Sequence, residues 1–186
     1  MLIQVDVDNT LYSAHTLFAK VAKTHYDIDL KTPSNWHEYL EYVELDTLRK
    51  IFRKSHSRQH VMRQKPYGNS VETLNWLAEK NHQIIYISDR HGQANQALYD
   101  WLKEKNFPID WSLNKIPVVT TKDKRSWMIE NNPDVVIDDR PRTLMLAQSI
   151  GAKAIGLEFP WNRNLRGEIE GIQIFKNWKE IASYLG

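Results

Sequence analysis

Segments of helix and strand character alternate along the second half of the chain, and this alternation restricts the fold more than any other feature of the sequence. Helices are predicted at residues 70–81, 92–106, 125–132 and 142–151, and strands at 82–88, 116–121, 134–139, 152–159 and 172–178. Strands that alternate with helices of about 10–15 residues are typical of a parallel sheet covered on both faces. The sequence therefore predicts an α/β fold with a doubly wound, Rossmann-like parallel sheet.

The first predicted strand is followed by a long helical stretch. Apolar and polar residues alternate in the opening LIQVDVD, which indicates a strand over residues 2–8. Residues 13–65 instead place apolar side chains at the spacing of amphipathic helices. We therefore expect one domain with an α/β core, residues 1–12 and 66–186, and a small helical cap at 13–65 inserted after the first strand.

The composition excludes several classes of function. The chain of 186 residues contains no cysteine, which rules out disulfides, thiolate metal sites and cysteine nucleophiles. No apolar run approaches the length of about 18 residues that a membrane span requires, and no signal-peptide pattern opens the sequence. We therefore expect a cytoplasmic protein without a membrane partner. A net charge of +2 does not by itself indicate nucleic-acid binding.

Polar side chains suited to one task follow four of the predicted strands. They are Asp6, Asp8, Ser88, Arg90, Lys122, Lys124, Asp138 and Asp139. Ligands of such sheets bind outside the carboxyl ends of the strands, so these groups are expected to meet there. Carboxylates that converge without a countercharge repel one another, and Mg²⁺ with its preference for oxygen ligands would remove that conflict. A lysine and a hydroxyl beside the ion would bind the oxygens of a phosphate group.

The two acids at the end of the first strand suggest two steps of phosphate-ester hydrolysis. One carboxylate can attack phosphorus and form an aspartyl-phosphate, while the other protonates the leaving alkoxide and later activates water. A carboxyl group of ordinary pKa is almost fully ionised at neutral pH. The pKa of the second acid would therefore have to be raised by its neighbours.

The order of these residues resembles the four motifs of the haloacid dehalogenase-like (HAD) phosphohydrolases. The motifs are DVDNT at residues 6–10, Ser88, a lysine, and the acid pair at 138–139. The resemblance implies that Asp6 is the nucleophile, and that Asp8 is the general acid/base and gives its backbone carbonyl to Mg²⁺. It also implies that Ser88 and the lysine bind the phosphoryl oxygens. Lys124 precedes a predicted helix and is preferred to Lys122.

The acid pair after the fourth strand completes the implied metal site. In relatives with two acids at this point the second usually binds the metal, so Asp139 is the expected ligand and Asp138 supports it. The implied metal ligands are then Asp6, Asp8, Asp139 and Asp138. The implied cofactor is Mg²⁺.

Shorter phrases are similar to the small 5'(3')-deoxyribonucleotidases of that family. They are DVDNTLY, KPYGNSVETLNWL, YISDR, VVIDDRP and EFPWNR. The similarity implies a small phosphomonoester substrate, most readily a (deoxy)nucleoside monophosphate. Arg90 is a candidate substrate ligand, although Asp89 intervenes between it and Ser88. Phe18 and Trp36 of the insert are candidates for stacking on a base, and the alternative is that they form the cap's own core.

Two other functions stay open. The same chemistry would serve a phosphatase of nucleic-acid 3' ends or of another small phosphoester, and HSRQHVMRQK at 56–65 is the local basic run that a nucleic-acid partner would use. A phosphate-binding regulatory domain would carry similar groups without turnover. In receiver-type domains, however, the paired acids come before the phosphoacceptor acid, which is the reverse of the order here.

Overall fold

A six-stranded sheet forms the centre of the protein in the computed structural model, which describes residues 1–31, 36–90, 93–109, 118–120 and 123–186. The strands are β1 (Leu2–Asp6), β2 (Gln83–Ser88), β3 (Val118–Thr120), β4 (Val135–Ile137), β5 (Lys153–Leu157) and β6 (Ile172–Phe175). Their spatial order is β3-β2-β1-β4-β5-β6, and every neighbouring pair is parallel. The predicted Rossmann-like α/β fold is confirmed.

Helices occupy the connections between the strands. The α-helices are α1 (Ala14–Tyr26), α2 (Leu45–Ser55), α3 (Arg58–Val61), α4 (Ser70–Glu79), α5 (Gln93–Glu104), α6 (Lys124–Asn131), α7 (Pro141–Ser149) and α8 (Trp178–Leu185). Short 3₁₀ helices lie at Trp36–Glu41 and Arg163–Leu165. Among the described residues, no helix combines the length and the apolar character needed to cross a membrane.

The two faces of the sheet pack into two separate hydrophobic clusters. Successive side chains of a strand point to opposite faces, so Val135 and Ile137 of β4 join one cluster while Val136 joins the other. The larger cluster includes side chains of α4, α5 and α8, and the smaller one includes side chains of α6 and α7. Helices on both faces bury most residues of the central strands β1, β4 and β5, as is usual for a parallel sheet.

The insert after β1 is helical, as predicted, and its core is continuous with that of the sheet. Buried residues of α1 and α2, such as Leu17 and Ile51, belong to the same cluster as Ile3 and Val5 of β1. The division into a core and a cap at 13–65 stays a prediction.

The turn that follows β1 is held by hydrogen bonds within its own backbone and by one from the last helix. The amide of Leu11 donates to the carbonyl of Val7, and Asn9 adopts a φ of 64°, a left-handed conformation that Asn tolerates better than most residues. From the last helix, the buried indole Nε1 of Trp178 donates to the carbonyl of Thr10 at 2.9 Å. The turn is therefore held by its own backbone and by α8.

Candidate active site

Three buried carboxylates and one lysine meet at the carboxyl edge of the sheet. Oxygen atoms of Asp6, Asp138 and Asp139 all lie within 4.8 Å of one another. Lys124 Nζ contacts Asp6 Oδ1 and donates to Asp138 Oδ2 at 3.0 Å. All four side chains are buried. The structure thus brings together four of the residues that the sequence predicted for the site.

The positions of these four residues follow from the topology. Asp6 is the last residue of β1, and its neighbour β4 ends at Ile137, so the acid pair emerges beside it. Lys124 is the first residue of α6, where the N-cap carboxylate of Asp123 accepts hydrogen bonds from the backbone amides of Arg125 and Ser126. This cap fixes the start of the helix. The alternative residue, Lys122, lies outside the described residues.

The carboxylates of this cluster are short of positive charge. Burial, reinforced by Asp138, raises the pKa of Asp6 to about 7, although Lys124 opposes the shift. Burial and the charges of Asp6 and Asp138 raise the pKa of Asp139 well above its ordinary value. Burial alone would lower the pKa of Lys124, but Asp138 and Asp6 outweigh it, so that pKa is raised.

This donor set fits a hard divalent cation. Its ligand atoms are carboxylate oxygens, which Mg²⁺ prefers, and a cation would offset the burial and the repulsion that raise the pKa values of the acids. Asp138 already accepts from Lys124 and, at 2.8 Å, from the backbone amide of Arg140. The residues that could hold such an ion are therefore Asp6 and Asp139, with Asp138 beside them.

Asp8 is held by a different set of partners. Arg90 Nε donates to Asp8 Oδ2 at 3.1 Å, and Arg90 Nη2 donates to Oδ1. The hydroxyl of Tyr12 donates to the same Oδ1 at 2.8 Å, and His56 Nε2 of the insert lies 3.7 Å from Oδ2. The carboxylate of Asp8 is not part of the cluster formed by the other three acids.

The expectation that neighbours raise the pKa of Asp8 is wrong for this arrangement. Burial does favour a raised value, but the charge of Arg90 and the contact with His56 outweigh it and hold the pKa well below the ordinary range. The cause lies in the pairing with Arg90, which the sequence did not reveal.

The other residues that the sequence predicted for the site do not all lie at the acid cluster. Ser88 is buried at the end of β2, where its Oγ accepts from the amide of Arg90 at 3.3 Å. Contrary to expectation, the guanidinium of Arg90 contacts Asp8 rather than an open substrate site. Phe18 is 3% exposed and packs against Tyr39 with ring centroids 5.1 Å apart, which agrees with the alternative that it belongs to the cap's own core. The side chain of Trp36 lies outside the described part of the chain.

Sequence reasoning missed the residues that hold Asp139. The indole Nε1 of Trp161 donates to the Asp139 carbonyl at 3.1 Å and to Oδ2 at 3.0 Å. Asn162 Nδ2 donates to the same carbonyl at 2.8 Å, and Asn9 Nδ2 donates to Oδ2 at 3.3 Å. The phrase EFPWNR was a signal for this support, but its spacing alone does not say which residue it contacts.

Comparison with known proteins identifies the family. Over residues 1–185 the chain matches the family described as "5' nucleotidase, deoxy (Pyrimidine), cytosolic type C protein". The chain belongs to this family. It is therefore a HAD-like phosphoric monoester hydrolase, and the family and enzyme class predicted from the motifs are confirmed.

Individual relatives agree with this result. "Putative nucleotidase OB0422" of Oceanobacillus iheyensis is 25% identical over 174 residues, which cover 86% of this chain and 87% of that protein. The solved "Putative Phosphatase" of Clostridium difficile is 15% identical with a TM-score of 0.68, covering 100% of this chain and 98% of that one. A HAD family hydrolase of Deinococcus radiodurans, solved with bound phosphate and sodium, is 12% identical with a TM-score of 0.66, covering 99% and 94%. At these identities the solved structures show a shared fold.

Proposed function

We propose that the protein is a Mg²⁺-dependent phosphomonoesterase that works through an aspartyl-phosphate and acts on (deoxy)nucleoside monophosphates. The observation that carries the proposal is the buried meeting of Asp6, Asp138, Asp139 and Lys124 at the carboxyl edge of the sheet. Removing phosphate from an alkyl ester is among the slowest of uncatalysed reactions, and enzymes accelerate it by up to ~10²¹-fold. A nucleophile, a cation and a proton donor are therefore all needed together.

Asp6 is the nucleophile in this proposal. Thr10 Oγ1 donates to Asp6 Oδ2 at 3.2 Å, and Lys124 contacts Oδ1, so the carboxylate is fixed in orientation. Attack of one Asp6 oxygen on phosphorus forms the acyl phosphate while the ester bond to the alkoxide breaks. Lys124 and Ser88 then hold the phosphoryl oxygens.

Asp8 handles the protons. It gives a proton to the departing alkoxide, and it then takes one from the water that hydrolyses the acyl phosphate. Because Arg90 favours the ionised form of Asp8, we propose that the carboxyl group acquires its proton with the incoming substrate.

The residues that would hold the cation are Asp6 and Asp139 through their carboxylates and Asp8 through its backbone carbonyl, with Asp138 in support. The raised pKa values of Asp6 and Asp139 support this assignment, because burial and the neighbouring acids disfavour their ionised forms and a bound cation would favour them. When bound, Mg²⁺ would neutralise charge on the phosphoryl oxygens.

The family description and the named nucleotidase relative favour a nucleotide as substrate, and we propose that the protein acts on it in the cytoplasm. A nucleic-acid 3' end is a weaker candidate. Within the basic run, Arg58 pairs with Asp100 at 3.0 Å and His56 is buried beside Asp8, so part of the run is not available to phosphates.

The test is phosphate release from 5'- and 3'-deoxynucleotides, ribonucleotides, sugar phosphates and a 3'-phosphorylated oligonucleotide, with Mg²⁺ or with a chelator. We expect chelator-sensitive release that favours deoxynucleotides and is lost in Asp6→Asn, while the exposed control Asp29→Asn behaves like the wild type. Release only from sugar phosphates or from the oligonucleotide would overturn the substrate class. Undiminished release by Asp6→Asn would overturn the mechanism.

A further inference from the structure

The guanidinium of Arg90 is committed to contacts inside the protein. Its side chain is 2% exposed, and two of its nitrogens donate to the carboxylate of Asp8. Nη2 also contacts the hydroxyl of Tyr12. Nη1 is buried and has no partner among the described residues, so its surface does not open to a substrate either. Arg90 therefore has no exposed donor in this structure with which to bind a phosphate.

Tyr12, four residues after Asp8 in the sequence, holds the same carboxylate with its hydroxyl. It is fully buried, its ring packs against Trp101 with centroids 5.1 Å apart, and its carbonyl accepts the amide of Asn9 at 2.9 Å. Tyr12 thus holds the turn that carries Asp8 by one backbone and one side-chain hydrogen bond. Arg90 reaches the carboxylate across 82 residues of sequence, from the segment after β2.

The clamp of Arg90 and Tyr12 leaves part of Asp8 accessible. Oδ1 accepts from both residues, whereas Oδ2 accepts from Arg90 Nε and lies 3.7 Å from His56. The side chain of Asp8 stays 23% exposed. A carboxylate that is held by fixed donors and still partly exposed is suited to proton transfer at a fixed place, because its orientation is set before the substrate arrives.

We infer that Arg90, together with Tyr12, is a positioning residue that aims Asp8 for proton transfer to the leaving group, and that it is not a substrate ligand. This inference rests on the proposed function. It differs from the sequence-based assignment, in which Arg90 binds the substrate.

Two variants separate these roles. Arg90→Lys keeps the charge but cannot hold the carboxylate with two nitrogens, and Tyr12→Phe removes only the hydroxyl. Each is compared on a deoxynucleoside monophosphate, whose alkoxide needs a proton to leave, and on p-nitrophenyl phosphate, whose phenolate leaves without one. The value of kcat/KM is measured because it reports the step in which the leaving group departs.

We expect kcat/KM on the nucleotide to fall ~10- to 100-fold in Arg90→Lys, within the range that a positioned acid supplies, and less in Tyr12→Phe. On p-nitrophenyl phosphate the fall should stay below about 3-fold, and the inhibition constant of inorganic phosphate should change by less than about 2-fold. The exposed controls Arg58→Lys and Tyr184→Phe should match the wild type on both substrates.

Other outcomes overturn the inference. A raised inhibition constant for phosphate would make Arg90 a substrate ligand, and an equal fall on both substrates would make it merely structural. If Arg90→Lys does not fold, Tyr12→Phe alone tests the inference, again by comparing the fall in kcat/KM on the nucleotide with the fall on p-nitrophenyl phosphate. Failure of the proposed function looks different: the wild type would then turn over neither substrate, or Asp6→Asn would keep its activity on p-nitrophenyl phosphate.

Discussion

Asp6 and Asp8 stand two residues apart in the sequence and lie in opposite electrostatic surroundings. Asp6 is buried among other acids with Lys124 as its nearest cation, and its pKa is raised to about 7. Asp8 is clamped by Arg90 and Tyr12, and its pKa is lowered well below the ordinary range. The spacing of two acids therefore does not tell which of their pKa values is raised and which is lowered; the partners that the fold supplies decide it.

The difference arises where β1 ends. The sequence predicted a strand to residue 8, which would point both acids to the same face, but β1 ends at Asp6. Beyond it the chain turns, with Asn9 at a φ of 64° and an isolated bridge between Asp8 and Tyr12. Asp6 thus faces the acid cluster, while Asp8 faces the segment after β2.

The largest expected effect comes from removing the acid on the Asp6 side. Asp6→Asn deletes the nucleophile, so phosphate release should fall by about 10⁴-fold or more on nucleotide and aryl phosphate alike. The thermal midpoint should stay the same or rise, because one of three crowded acids loses its charge. Asp8→Asn should instead spare most of kcat/KM on the aryl phosphate, because that value reports formation of the acyl phosphate, and this leaving group needs no proton donor. Equal losses in both variants on both substrates would remove the functional contrast between the two acids.

Lys124→Met tests how much the positive charge of Lys124 stabilises the buried carboxylates of Asp6 and Asp138. The change leaves two buried carboxylates without their cation, and breaking a buried pair in this way costs about 3–5 kcal/mol in the free energy of unfolding. Urea unfolding in the absence of Mg²⁺ measures it, with the more exposed Lys105→Met as the control. The double variant with Asp6→Asn should recover part of the loss. A stable Lys124→Met protein would mean that the acids there are already neutral.

Trp161→Phe extends the comparison to Asp139. The variant keeps an aromatic ring but removes the donor that contacts both the carbonyl and the carboxylate. The Mg²⁺ concentration for half-maximal activity should rise by about 10-fold, as for other residues that orient a metal ligand, while kcat at saturating Mg²⁺ changes little. Trp76→Phe is the matched control. An unchanged Mg²⁺ requirement would show that Asp139 is oriented without the indole.

The smallest expected effect lies at Gln4, on the same face of β1 as Asp6. Gln4 is fully buried, and neither atom of its amide has a partner among the described residues. Replacing this unsatisfied amide by the similarly shaped apolar side chain in Gln4→Met should raise the free energy of unfolding by about 1 kcal/mol. Chemical denaturation checks it, with the exposed Gln83→Met as the control. A loss of stability would show that the amide makes a hydrogen bond through water.

The fold and half of the site could be predicted because both depend on local patterns. Alternating strands and helices leave few topologies, and the ends of neighbouring parallel strands must share an edge, which brings Asp6 to Asp138 and Asp139. Lys124 followed because it starts a helix after the next strand. None of these inferences requires knowing how a loop turns.

The rest of the site depends on loop directions and on packing, which no spacing reveals. The pairing of Asp8 with Arg90 follows from two turns that approach each other in space, and the support of Asp139 comes from a loop after β5. Phe18 lies at a helical position that suits either a core or a binding surface. Only the packing of α1 against Tyr39 decides for the core.

The hydrogen bond from Trp178 to the carbonyl of Thr10 has a consequence for synthesis of the protein on the ribosome. The turn that carries Asp8 is synthesised early, but the hydrogen-bond donor to its Thr10 carbonyl is the side chain of Trp178, 168 residues later. The strand that pairs with β1 on its other side, β4, also emerges late. The hydrogen bond to this turn can therefore form only after residue 178 has left the exit tunnel, and shorter nascent chains lack it.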